Sequence, residues 1–85
     1  MTQCWWLYLL VCRDGWTYAG ITIDVAARFA AHSSGKGAKF TRSNPPVRVL
    51  GAQAFASKSE ALKAEAALKK LDRTKRLVWA SRYRT

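Results

Sequence analysis

Acidic side chains are scarce in this sequence. Five Asp and Glu stand against fifteen Lys and Arg among 85 residues, giving a formal net charge of +10 and a pI near 10.3. No acid occurs between Asp24 and Glu60, yet Arg28, Lys36, Lys39, Arg42, Arg48 and Lys58 all fall there. Self-repulsion of that size costs stability, so an anionic partner is the economical explanation, most often a nucleic acid. Cysteine is limited to Cys4 and Cys12. On one strand they would stand roughly 26 Å apart at about 3.3 Å per residue, which excludes a bridge between them. No CxxC or Cys/His ligand spacing exists either, so reduced, structural thiols in a cytoplasmic protein are expected. The apolar run Trp5–Val11 is too short to span a bilayer and lacks a basic n-region and a cleavage site, which argues against a membrane. There is no repeat, linker or compositional break, so residues 1–85 read as a single domain. Hydrophobic content of 49% with four Trp, three Tyr and three Phe excludes a disordered chain.

Alternation and aromatic enrichment predict a central strand over Cys4–Cys12, with Trp16–Ile21 as its hairpin partner. The turn between them decides which side chains meet. A two-residue Asp14-Gly15 loop pairs Val11 with Tyr18 and sends Tyr8 and Tyr18 to opposite faces. A three-residue Arg13-Asp14-Gly15 loop, with Gly15 at positive φ, pairs Leu10 with Tyr18 and Tyr8 with Gly20, so that both tyrosines share a face. The functional reading requires the second register, which we adopt. Asp24–Ser33 reads as a short helix capped by Thr22 or Asp24, with Val25, Ala26 and Phe29 on its buried arc. Gly35–Pro46 reads as a loop and Val47–Phe55 as a third strand. Ser57–Leu71 opens with the capping pair Ser57 and Glu60 and continues as an amphipathic helix. Asp72 caps a last, basic helix running to about Ala80. This order implies a small α/β (α+β) domain, a three-stranded, mostly antiparallel sheet flanked by about three helices.

Five side chains suggest phosphodiester chemistry, which needs a deprotonated water, countered charge on the non-bridging oxygens, a stabilised leaving oxygen and a phosphate held still. Arg28 offers a planar fork of donors, or an ordinary pair with Asp24 one turn earlier. His32, the only histidine, lies one turn further on and can orient or protonate an oxygen, or simply sit at the surface. Glu65 falls inside the mostly apolar sector of its helix, where a carboxylate needs a partner or a task. Lys69 at i+4 is the plain partner; a hydrated Mg²⁺ completed by a substrate phosphate is the other option. Strand tyrosines such as Tyr8 and Tyr18 usually just pack.

Taken in order, these residues resemble the GIY-YIG nuclease superfamily, most closely its small stand-alone bacterial members. Trp6-Leu7-Tyr8 stands at the first triplet and Tyr18-Ala19-Gly20 at the second. Gly20-Ile21-Thr22 leads to Arg28 and His32, Ser34–Thr41 resembles the loop of the small bacterial branch, and Ser59–Glu65 with Lys69-Lys70-Leu71 resembles the metal-binding helix. Trp6, Leu7 and Ala19 replace the Gly and Ile that name the motif, Phe40 replaces a tyrosine often seen in the loop, and the later asparagine of some relatives is absent.

The resemblance implies a GIY-YIG-like fold and a metal-dependent endonuclease acting on DNA, with RNA left open by the charge. Glu65 would hold one divalent ion, Mg²⁺ or Mn²⁺, and Arg28 would stabilise charge on the phosphate. Tyr8 would act as general base or orient the water, with Tyr18 and His32 assisting. A phenol of ordinary pKa near 10 is a poor base at neutral pH, and positive charge from the metal or Arg28 would favour its phenolate. Lys36, Lys39, Thr41, Arg42, Lys69, Arg73 and Arg76 are the expected nucleic-acid contacts, which position the backbone without reading sequence. The Gly35-Lys36-Gly37 backbone is a candidate phosphate cradle, and Phe40 and Trp79 are candidate stacking aromatics. Single-stranded, branched or damaged DNA is the expected substrate. A binding module that keeps the fold without the chemistry is the alternative. So is a catalytic subunit targeted by a protein partner, for which Trp5 and Trp6 would offer an apolar surface.

Overall fold

The computed structural model describes residues 3–84, apart from the side chain of Phe40. Its sheet has the order β2-β1-β3 and is antiparallel throughout, with β1 at Trp5–Cys12, β2 at Thr17–Thr22 and β3 at Pro46–Phe55. The central strand is covered on both faces, which is why Leu7, Tyr8, Leu9 and Leu10 are all buried in succession. Leu7 and Leu9 pack with Ala19, Leu68 and Ala80 on one face; Tyr8 and Leu10 pack with Ala52, Val25 and Phe29 on the other.

The hairpin adopts the three-residue loop. Cys12 donates its amide to Trp16 C=O at 2.8 Å, Gly15 donates to Cys12 C=O at 2.9 Å, and Gly15 takes φ 89°. Leu10 therefore faces Tyr18, and Tyr8 faces Gly20. The Asp14 carboxylate ties the loop down by accepting from the Trp16 amide at 3.0 Å and Asn44 Nδ2 at 2.6 Å. In β3 the register slips between Leu9 and Leu10, so that Val49 and Ala52 face the same side with Leu50 on the other. That bulge explains why the strand alternates only weakly in sequence.

Helix α1 (Val25–Ser33) is capped by Asp24, whose carboxylate accepts from Ala27 N at 3.0 Å. Its inner stripe is Val25, Phe29 and His32, an i, i+4, i+7 series. Ala26, expected on that arc, is exposed because His32 takes the inward position instead. The segment expected to be all loop contains a one-turn helix, α2 (Lys39–Ser43), with no side-chain cap. Helix α3 (Lys58–Lys69) is capped by Ser57 accepting from Glu60 N at 3.2 Å, and α4 (Arg73–Arg82) by Asp72 accepting from Lys75 N at 2.9 Å. Both pack on the sheet face opposite α1, and the Tyr83 carbonyl beyond α4 accepts from Ala52 N at 2.9 Å on β3. Among the described residues there are four helices where about three were expected, the additional one being α2, too short to leave a periodic trace. Among the described residues no helix is long and apolar enough to cross a membrane.

The Tyr8–Gly20 pair leaves no spare room. A Cβ at position 20 would lie 2.5 Å from the Tyr8 hydroxyl and 2.8 Å from Cζ, and the Tyr8 ring is 2% exposed. Gly20→Ala is expected to cost about 1–3 kcal/mol by overpacking. Chemical denaturation checks this; an unchanged midpoint would mean that the ring can move aside.

Candidate active site

Tyr8 leaves β1 toward α1 and leans across Gly20. Its hydroxyl meets His32 Nε2 at 2.9 Å, and Arg28, one turn before His32 on the same helix, is near enough to favour its ionised form. Tyr18, half-buried on β2, sets its ring edge-on to the His32 imidazole, with centroids 5.2 Å apart at 65°. His32 is fully buried, and its Nδ1 meets Thr41 Oγ1 at 2.7 Å. Glu65 arrives from α3, which packs on β1 and β2, and its charge reaches the Tyr8 phenol. Tyr8, Tyr18 and His32 thus lie in mutual contact, with Arg28 one turn before His32 and Glu65 acting on Tyr8 through its charge alone.

Burial dominates the electrostatics. It raises the Tyr8 pKa above the ordinary phenol value, and although the Arg28 hydrogen bond and charge oppose this, Tyr18 and Glu65 add to it. Arg28 favours the phenolate, as expected, but desolvation outweighs it, and Tyr8 is protonated at neutral pH. His32 shifts the other way, lowered by burial first and by Arg28 second, so it is neutral at the same pH.

Glu65 pairs with Lys69 at 3.6 Å, with side-chain exposures of 19% and 56%. An i,i+4 pair of this kind is worth at most about 1 kcal/mol, so the carboxylate can be given up to a stronger cation. Among the described residues no group of three or more His, Cys, Asp or Glu converges as a metal cage. Glu65 alone fits a hydrated divalent ion whose remaining ligands are water and substrate oxygen.

The nucleic-acid contacts expected from sequence divide in two. Lys36, Lys39, Arg42, Lys69 and Arg73 present exposed side chains. Thr41 is 0% exposed and belongs to the hydrogen-bonded chain behind Tyr8, so it cannot reach a phosphate. Arg76 is half-buried, donating from Nε to Leu71 C=O at 2.8 Å and from Nη1 to Thr17 Oγ1 at 2.7 Å, which makes it a tie between α4 and β2. The backbone cradle is also corrected: Gly35 N–H and Lys36 N–H close the end of α1 onto His32 C=O and Ala31 C=O. Phe40 as a stacking residue lies outside the described residues, while Trp79 is half-buried against Tyr83 and the core. Trp5 lies half-buried under Lys58 Nζ, 5.2 Å from its ring, and so offers little apolar surface. Sequence reading missed Gly37, where a Cβ would collide with His32 Nδ1; only its place five residues after the histidine hinted at a contact.

The buried neutral histidine has a measurable consequence. The unfolded chain takes up a proton near the ordinary imidazole value of 6.5, above the folded value. Stability from this group is complete above about pH 6.5 and falls as pH drops toward the folded value. His32→Gln should abolish that slope. Urea midpoints between about pH 7 and 5 check it, and equal slopes in both proteins would overturn the assignment.

Comparison with known proteins agrees with this geometry. Residues 4–77 match the family model described as the GIY-YIG catalytic domain. A UPF0213 protein of Cupriavidus pinatubonensis is 56% identical over 78 residues, covering 92% of this chain and 87% of that one. A UPF0213 protein of Streptococcus pneumoniae is 54% identical over 68 residues, 80% of this chain and 69% of that one. The solution NMR structure of a UPF0213 protein from Bacillus halodurans is 44% identical, with a TM-score of 0.57, covering 92% of this chain and 83% of that one. Over most of its length, therefore, this chain belongs to the GIY-YIG catalytic-domain family.

Proposed function

We propose that this protein is a Mg²⁺- or Mn²⁺-dependent endonuclease that hydrolyses DNA phosphodiesters, with single-stranded, branched or damaged DNA as substrate. Nuclease activity follows from the family; the substrate, the metal and the residue roles are our reading. The observation that carries it is the buried Tyr8 hydroxyl, which meets His32 Nε2 at 2.9 Å and lies within the electrostatic reach of Arg28 and Glu65. A binding surface needs outward cations and has no use for such a buried cluster.

In this reading Arg28 turns part of its donor fork to the non-bridging oxygens and counters the charge that develops there. Tyr8 orients the attacking water. Being protonated, it accepts the water's proton only as its own departs toward His32, with Tyr18 packed against the same imidazole. Glu65 would hold the divalent ion, which when bound supplies positive charge to the reacting phosphate. Lys36, Lys39, Arg42, Lys69 and Arg73 would grip the backbone. Such contacts carry no sequence information, which favours strand state or structure as the cue.

The test is cleavage of labelled single-stranded, duplex and forked DNA with Mg²⁺, Mn²⁺ or EDTA. Arg28→Ala and Glu65→Ala are each expected to lower cleavage by roughly 100-fold or more. DNA affinity of Glu65→Ala should hold, since the change removes no cation and releases Lys69. Cleavage retained by either variant would sink the assigned roles, and binding without cutting on every substrate would favour the binding module. Lys36→Ala with Lys39→Ala should weaken binding to all sequences and flatten the salt dependence by about 1.4 log units per decade on single strands. An unchanged slope would mean that these lysines touch no phosphate.

A further inference from the structure

We propose that Thr41 is a positioning residue that fixes His32 in its Nδ1–H form, so that Nε2 is a bare acceptor aimed at the Tyr8 hydroxyl. The inference rests on the endonuclease reading for its catalytic meaning, while its geometry stands apart from it. Two contacts settle the direction of the chain at this end. Thr41 Oγ1 lies 2.8 Å from Ala38 C=O. A carbonyl only accepts, so the hydroxyl proton of Thr41 is committed there. The same oxygen meets His32 Nδ1 at 2.7 Å and has only lone pairs left to offer. Nδ1 must therefore carry the hydrogen, and a neutral imidazole has only one.

The other end of the chain is oriented the same way. With Nδ1 protonated, Nε2 has only a lone pair to offer, and Arg28, which has only donors, can take no proton from the Tyr8 hydroxyl. The Tyr8 proton is then free to point at His32 Nε2, 2.9 Å away. Every group donates onward: Tyr8 to His32, His32 to Thr41, and Thr41 to the carbonyl that starts α2. Aligned bonds of this kind polarise one another. When Tyr8 takes a proton from water, its own proton passes to Nε2, leaving a neutral phenol and an imidazolium whose Nδ1–H remains bonded to Thr41. Gly37 closes the space beside Nδ1, where even a Cβ would collide, so no solvent group is at hand to replace the hydroxyl.

Because the chain has a single histidine, its ring is the only imidazole signal in the protein. Long-range ¹H–¹⁵N correlation spectra of the ¹⁵N-labelled protein at pH 7.5 should show Nδ1 protonated and Nε2 bare, the reverse of the form that dominates for histidine free in water. An Nε2–H ring in the wild type would overturn the proposal. Thr41→Val, which removes the hydroxyl at nearly constant shape, should lose this form and reduce kcat roughly 100-fold with KM little changed. Thr41→Ser should keep both. A valine variant with the wild-type spectrum and rate would also overturn it. Should valine fail to fold, the wild-type and serine spectra decide. Wild-type protein that cuts no DNA but shows the Nδ1–H ring would overturn the nuclease reading and leave the assignment of Thr41 supported.

Discussion

Tyr8 is required to be in two places: its ring fills the core between β1 and α1, and its hydroxyl must stand at the site. The register of the β1–β2 hairpin reconciles them by placing Gly20, a residue with no side chain, under the ring. Because strand side chains alternate, a slip of one residue would send Tyr8 to the face of α3 and α4 and bring its neighbours Leu7 and Leu9 to the site. The three-residue turn with Gly15 at positive φ therefore sets more than the path of a loop. Arg28, His32 and Glu65 are useful only while that register holds.

The second consequence of this arrangement is desolvation. A buried phenol and a buried imidazole are each pushed toward their neutral forms, one upward and one downward in pKa. Neither alone is an effective base for water, but together they form an adjoining donor and acceptor: as the phenol takes a proton from water it passes its own to the imidazole, so that the positive charge gathers on His32 and the phenol stays neutral. Arg28 supplies the permanent positive charge beside them. The strength of the Glu65–Lys69 pair, whose lysine stands in solvent at 3.6 Å, is small by comparison, which suits a carboxylate that must exchange partners.

Much of this was legible in the residues because it rests on local rules. The caps at Ser57 and Asp72 depend on neighbours in sequence and appear as read, and Asp24 is the one of the two candidate caps that serves α1; local rules left the hairpin turn open, and the three-residue loop chosen on functional grounds is the one that forms. That Tyr8, Tyr18, Arg28, His32 and Glu65 belong to one site came instead from their resemblance, in order, to the GIY-YIG pattern. What escaped depends on distant contacts. Helix α2 has five residues and no side-chain cap, so it leaves no periodic mark. Thr41 sits between Lys39 and Arg42 and shares their polar character, but its burial is decided by His32, nine residues away. Arg76 looks like one more cation of a basic helix, yet its guanidinium is spent on Leu71 and Thr17, the latter a partner 59 residues distant. Charge in a sequence shows where cations are, not which of them are already engaged.

The contact between Tyr83 and Ala52 has a bearing on how this domain behaves in a crowded solution. As an edge strand of a three-stranded sheet, β3 would ordinarily offer a row of free amides and carbonyls to any extended chain. Here the outward amide of Ala52 is already taken by the Tyr83 carbonyl at 2.9 Å, and the strand begins with Pro46, which has no amide to give. The polypeptide beyond α4 thus acts as a guard on that edge, closing the most direct route by which a second sheet could add to the first.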